Sequence, residues 1–109
     1  MLLFVKSEFL KKIIDGSKTI EIRCGSRYRG ISVGDRLSLN GSTIRYAKNV
    51  RRFETLTKMI AGIDVKLIGF SSKAEARRVL RTLYPKTGPQ LWVAIGLTED
   101  CPKARRERL

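Results

Sequence analysis

The sequence predicts a mixed α/β fold that is mainly β: a small β-barrel decorated by two or three short helices. Three observations carry that expectation. Several segments alternate apolar and polar residues with the period of a strand, the helical segments are short and bear their own start and stop signals, and no βαβ spacing repeats along the chain. With 109 residues and no long Pro/Gly/Ser-rich linker, the chain reads as one domain over residues 1–100, followed by a basic tail, 101–109, expected to be disordered.

Residues 2–5 form a short apolar run that reads as a buried strand. Ser7 suits a helix N-cap, and Phe9, Leu10, Ile13 and Ile14 then share one helical face, leaving Lys11, Lys12 and Asp15 to solvent until Asp15-Gly16 stops the helix. Residues 18–23 alternate as a half-buried strand does, with Ile20 and Ile22 on one side and Thr19, Glu21 and Arg23 on the other. A turn-rich stretch, 24–30, leads through Val33-Gly34-Asp35 to a strand at 36–39, and Asn40-Gly41 is a two-residue hairpin signal.

Residues 43–53 read as a long strand. Ile44, Tyr46 and Val50 break strict alternation there, so a bulge is expected. A short helix is expected over 55–60, and Ser72-Lys73-Ala74-Glu75 has the form of a capping box opening a helix through Val79, Leu80 and Leu83, which Tyr84-Pro85 ends. Residues 91–97 are apolar enough for a strand buried on both faces, with Trp92 in the core.

Composition narrows the chemistry. Lys and Arg number 23 against 10 Asp and Glu, a formal net charge of +13, and such an excess is tolerated best where a polyanion supplies the counter-charge. Nucleic acid is therefore the first partner to consider. There is no histidine, which removes the commonest general base and metal ligand and every Ser-His or Cys-His nucleophile. Cys24 and Cys101 form no Cys-x-x-Cys pair, so neither a zinc site nor a disulfide framework is indicated, and no cofactor is implied. No apolar run is long enough for a membrane span, and residues 1–5 are too short for a signal peptide, so a soluble, cytoplasmic protein with no membrane or metal partner is expected.

Residues 16–23, Gly-Ser-Lys-Thr-Ile-Glu-Ile-Arg, concentrate the chemistry. Gly16 permits the positive φ that turns helix into strand and brings Lys18 close to the helix C-terminus. Glu21 and Arg23 share a strand face, where they can pair or present an acceptor beside a planar donor fork, with Lys18 at the mouth of the same strand. Such a group can read a base edge while holding a phosphate, or it can be a structural network in which Glu21 neutralises two cations so that the strand packs. Arg27, Tyr28 and Arg29 in the following loop, with Arg51, Arg52 and Phe53 at the end of the long strand, suit single-stranded RNA, arginines meeting phosphate and a ring stacking on a base. Ordinary loop anchoring is the alternative for Tyr28. Arg77, Arg78 and Arg81 read as a solvated helix side.

The pattern Gly-x-Lys-x-x-Glu-x-Arg resembles the signature of the ASCH family of PUA-like domains, stand-alone type. The preceding helix, the Val33-Gly34-Asp35 turn and the Tyr84-Pro85 stop before the last strand extend the resemblance over nearly residues 2–98. It implies a PUA-like β-barrel and an RNA-binding role, with the motif residues Lys18, Glu21 and Arg23 at the barrel mouth; together with Arg27, Tyr28, Arg29, Arg51 and Arg52, read from their composition, they are expected to hold RNA or a nucleotide in a basic cleft. One bacterial branch of the family looks like an amidohydrolase that removes the acetyl group from N4-acetylcytidine, and by that resemblance Lys18 is an activated nucleophile or base with Glu21 beside it. This chain departs from that branch twice. Glu21 stands where the branch has threonine, and Gly69-Phe70 offers no carboxylate where the branch has a further glutamate. The expected function is therefore binding, with nucleoside hydrolysis as the alternative.

Overall fold

In the computed structural model, which describes residues 1–86 and 88–101, the elements run β1 (Leu2–Leu3), α1 (Ser7–Asp15), β2 (Ile20–Cys24), β3 (Arg36–Leu39), β4 (Thr43–Phe53), α2 (Leu56–Gly62), α3 (Val65–Ile68), α4 (Lys73–Leu83) and β5 (Trp92–Thr98). A single 3-10 turn, Ser26–Tyr28, follows β2. All but the first residue of the expected disordered tail lies outside the described residues.

The strands form one five-stranded sheet in the order β1-β3-β4-β5-β2, antiparallel except for the parallel β1–β3 pair. It is a mixed α/β fold, but the ladder does not close into the expected barrel: β1 and β2 are its two edges. Among the described residues there are four α-helices rather than two or three, the addition being α3, capped by the Asp64 side chain and ended by Gly69 at φ +108°, too short to leave a periodic signal.

β4 carries the expected bulge, between Ala47 and Asn49, which sets Asn49 opposite Gly96. A Cβ at position 96 would lie 2.5 Å from Asn49 Oδ1, so the side chain of one strand occupies space that glycine leaves free on its neighbour.

β5 separates two apolar clusters, as its composition predicts. Trp92 and Ala94 pack with Ile22, Met59, Ile60, Ile68, Phe70 and Leu80 beneath α2, α3 and α4. Val93 and Ile95 pack on the other face with Leu3, Ile13, Tyr28, Ile31, Leu37 and Leu39. Trp92 is 1% exposed and meets the Tyr84 ring edge-on at 5.5 Å.

Local signals hold with corrections. Ser7 is the first helical residue, and Lys6 occupies the N-cap with no side-chain hydrogen bond. α1 buries Ile13 while Ile14 is exposed, since a nine-residue helix on a sheet edge presents only a narrow stripe. Lys12, expected in solvent, instead donates to the Gly69 carbonyl at 2.8 Å. Ser72 caps α4 through the Glu75 N–H, but the Glu75 carboxylate reaches back to Ser71. Leu83, at the last turn, is left exposed.

The β3–β4 hairpin pairs Leu39 with Thr43, a three-residue connection in which Asn40 takes φ +54°. Asn40 does more than turn. Its side chain accepts from the Val5 N–H and donates to the Val5 carbonyl, each at 2.8 Å, continuing the β1–β3 pairing with a side-chain amide in place of a strand residue.

Candidate functional site

Gly16, at φ +89°, ends α1, and Lys18 N–H donates to the Lys12 carbonyl, so the Lys18 side chain enters the fold between α1 and α3. Its Nζ donates to the carbonyls of Ile20 at 2.7 Å and Ile68 at 2.6 Å and lies 3.3 Å from Glu21 Oε1. Three donors meet three acceptors. The residue is 3% exposed, and two of its acceptors are main-chain carbonyls, one of them at the end of α3 where no helical partner exists. The expected helix end was that of α1; the ammonium reaches that of α3. Burial lowers the Lys18 pKa from its ordinary value, and Glu21 opposes the shift.

Glu21, 7% exposed, links the two cations. Its Oε1 faces Lys18, and its Oε2 accepts from Arg23 Nε at 3.1 Å and Nη2 at 2.7 Å. Arg23 Nη2 also donates to the carbonyl of Phe4 at 2.7 Å, just past β1. The side chain of an edge strand thus spans to the opposite edge of the sheet. Burial works against the Arg23 charge, but Glu21 more than offsets it and holds the group firmly protonated.

A cleft of about 220 Å³ opens in this gap. Lys18, Glu21 and Arg23 line it together with Phe4, Phe9, Phe70, Leu83 and Tyr84. Phe4 stands at its rim, 74% exposed, while Phe9 and Phe70 meet edge-on at 5.8 Å below. Ile22 also lines it, though its side chain packs in the α-helical cluster. The reason is the parity of β2. Thr19 accepts from Leu97 N–H and Gly25 donates to the Leu91 carbonyl, so odd-numbered residues bond to β5 and the N–H and C=O of Ile20, Ile22 and Cys24 turn to the open edge. Lys18 occupies the Ile20 carbonyl, and the polar groups of Ile22 are left beside the cleft.

Two solved structures carry the same fold. The crystal structure of hypothetical protein PH0355 is 24% identical with a TM-score of 0.76, over 88% of this chain and 94% of that one. The solution NMR structure of protein PF0455 from Pyrococcus furiosus is 26% identical with a TM-score of 0.66, over 88% of this chain and 93% of that one. No family model and no curated protein matches the sequence.

Of the residues singled out in the sequence, Lys18, Glu21 and Arg23 come together. Tyr28 anchors its loop: its ring is 9% exposed in the second apolar cluster, with the guanidinium carbons of Arg23 and Arg27 at 5.9 and 5.2 Å from its centroid. It does not present a free face for stacking. Arg52 donates from Nη2 to the carbonyls of Arg29 and Ile31, and Arg51 donates to Gly62 while lying over Phe53, so these two brace neighbouring segments outside the cleft. Arg29 borders a second cleft. Arg77, in the middle of α4, donates to Thr57 of α2, and Arg81 donates to the Lys86 carbonyl beyond the end of α4.

The aromatic wall went unread in the sequence. Tyr84 carried a signal only as a helix stop, and Phe4, Phe9 and Phe70 lie on three separate segments that converge only in the fold. Burial raises the Tyr84 pKa above its ordinary 10.0, with Arg23 opposing the shift. Among the described residues no group of three or more His, Cys, Asp or Glu side chains is placed to hold a metal ion, and no helix is long and apolar enough to cross a membrane.

Proposed function

We propose that this chain is an RNA-binding module of the ASCH, PUA-like kind, which holds a nucleotide base in the cleft over Lys18, Glu21 and Arg23. The observation that carries the reading is the saturation of Lys18: its three donors already meet Ile20, Ile68 and Glu21. The lysine sets Glu21 and Arg23 in place and leaves them to face a ligand. A carboxylate that accepts, a guanidinium that donates and the edge amide of Ile22 are complementary to the mixed edge of a base with an exocyclic amine. The aromatic wall suits its faces. The approach of Arg23 to Phe4 across the unpaired edges supports a barrel-like curl of the sheet, closed by a side chain rather than by a ladder. The net charge of +13 favours a polyanion.

The amidohydrolase alternative has one observation in its favour, the lowered pKa of Lys18. Against it stand the missing carboxylate at Gly69-Phe70 and an ammonium whose protons are all engaged. Fluorescence anisotropy with labelled single-stranded RNA, hairpin RNA and duplex DNA of equal length, at several salt concentrations, tests the proposal. RNA is expected to bind in preference to DNA at physiological ionic strength, and Glu21→Gln and Arg23→Lys to weaken it by about 1–3 kcal/mol each. Binding that is indifferent to nucleic-acid type and lost with salt overturns the reading. Acetate release from N4-acetylcytidine in the same preparation establishes the alternative.

A further inference from the structure

A second cleft, of about 580 Å³, adjoins the first across a shared wall, Leu83 and Tyr84. It is lined by the apolar Leu91 and Pro85 and by the basic Arg29 and Lys86. Among the described residues no carboxylate lines it. Arg81 donates to the Lys86 carbonyl, adding a third cation to the neighbourhood.

The two clefts are related through β2. Ile22 lines the first and Cys24 the second, and both turn their main-chain N–H and C=O to the open edge of the strand. They are two residues apart on one strand, hence about 6.7 Å apart. At the end of β2, Gly25, at φ +128°, turns the chain away so that the second cleft stays open. Beside it the Gln90 side-chain oxygen accepts from the Cys24 thiol at 3.0 Å, while its amide nitrogen donates to nothing among the described residues. The cleft therefore repeats part of what the first offers, an unpaired main-chain edge, a polar side chain able to read a base and an apolar surface, and adds cations placed for phosphate. The Tyr84 ring, fixed edge-on against Trp92, divides them.

We infer that the second cleft takes the next nucleotide of a single-stranded chain whose first base occupies the Lys18-Glu21-Arg23 cleft, so that the protein reads two consecutive nucleotides along the β2 edge. The inference rests on the proposed reading of the first cleft. Arg29 and Lys86 meet the phosphate between the two nucleotides, Gln90 and the Cys24 main chain meet the second base, and Tyr84 stands between the bases as a wedge. Arg52, through its bond to the Arg29 carbonyl, is the positioning residue for that side. A peptide strand added along β2 fits less well, because Lys18 blocks the Ile20 carbonyl and Arg23 ties the edge to Phe4, leaving isolated residues open rather than a continuous edge.

The test is isothermal titration of cytidine monophosphate, cytidine bisphosphate and the dinucleotide pCpC into the full chain and into the Arg29→Ala/Lys86→Ala and Gln90→Leu variants. The dinucleotide is expected to bind at least about tenfold more tightly than the monophosphate, and both variants to lose most of that gain. Monophosphate affinity is expected to stay within about twofold, which also reports that the variants are folded. If monophosphate and dinucleotide bind the unaltered protein equally, the second cleft is overturned and the single-base reading stands. If the bisphosphate captures the whole gain, the cleft holds a phosphate but no base, and the inference is again overturned. If none of the three binds, the reading of the first cleft fails and takes the second with it.

Discussion

Arg23, on the β2 edge, donates from Nη2 to the main-chain carbonyl of Phe4 at 2.7 Å, so the two free edges of the sheet meet through a side chain. The same nitrogen also donates to Glu21 Oε2, which couples this link between β2 and the end of β1 to the polar group in the cleft. Replacing Arg23 by Ala leaves Glu21, 7% exposed, with Lys18 as its remaining partner. A loss of about 2–4 kcal/mol in unfolding free energy is expected from denaturant titration. Arg23→Lys keeps the charge but not the fork and is expected to recover less than half of it.

Lys18 is expected to be chemically silent. With its ammonium buried and bonded to Ile20, Ile68 and Glu21, it should resist an amine-acylating reagent at pH 7 while exposed lysines such as Lys6 and Lys11 react, as peptide mass mapping would show. Rapid labelling at Lys18 would show instead that the amine is available and would favour the hydrolase. Lys18→Ala, which strands two carbonyls and unbalances Glu21, is expected to cost about 3–5 kcal/mol.

Tyr84 gives the fold an alkaline limit. Its folded-state pKa lies above the ordinary 10.0, so above that pH the unfolded chain releases the phenolic proton first. The stability contributed by the neutral phenol is complete below pH 10 and is lost as pH rises beyond it. Lys18 acts with the opposite sign: its pKa is lowered in the fold, so stability rises with pH as that ammonium deprotonates toward its ordinary 10.5. Comparing thermal unfolding of the unaltered chain and Tyr84→Phe between pH 8 and 11 isolates the tyrosine, and the variant is expected to lose less stability over that range.

Asn40 and Val5 form the joint that continues the β1–β3 pairing. Asn40→Gly keeps the left-handed turn but removes both side-chain bonds, so a loss of about 1–3 kcal/mol is expected, measured by denaturant unfolding. Because Phe4 adjoins that joint, ligand affinity should fall with it. An unchanged affinity would separate the hairpin from the cleft.

Gly96 and Asn49 are coupled across β4 and β5. Gly96→Ala sets a methyl 2.5 Å from Asn49 Oδ1 and is expected to destabilise the sheet, whereas the double change with Asn49→Ala should restore much of the loss. Thermal unfolding of the four-member cycle gives the coupling directly.

Short-range chemistry was legible in the residues alone. Gly16 demanded a left-handed stop, Ser72 and Glu75 marked a helix start, the apolar run at 91–97 required burial on both faces, and the alternation of residues 18–23 put Glu21 and Arg23 on one face beside Lys18. Each of these follows from a residue and neighbours within a few positions, where backbone sterics and side-chain period act without reference to the rest of the chain. Long-range packing set the rest. Whether strands meet edge to edge, which carbonyl a buried ammonium reaches, and which rings wall a cleft depend on segments far apart in sequence, such as Lys18 with Ile68, Arg23 with Phe4, and Phe9 with Phe70. Tyr28 and Arg52 show the difference from the other side. Their composition suited a binding surface, but packing placed the ring in the core, and the exposed Arg52 found loop carbonyls that lie more than twenty positions away in sequence.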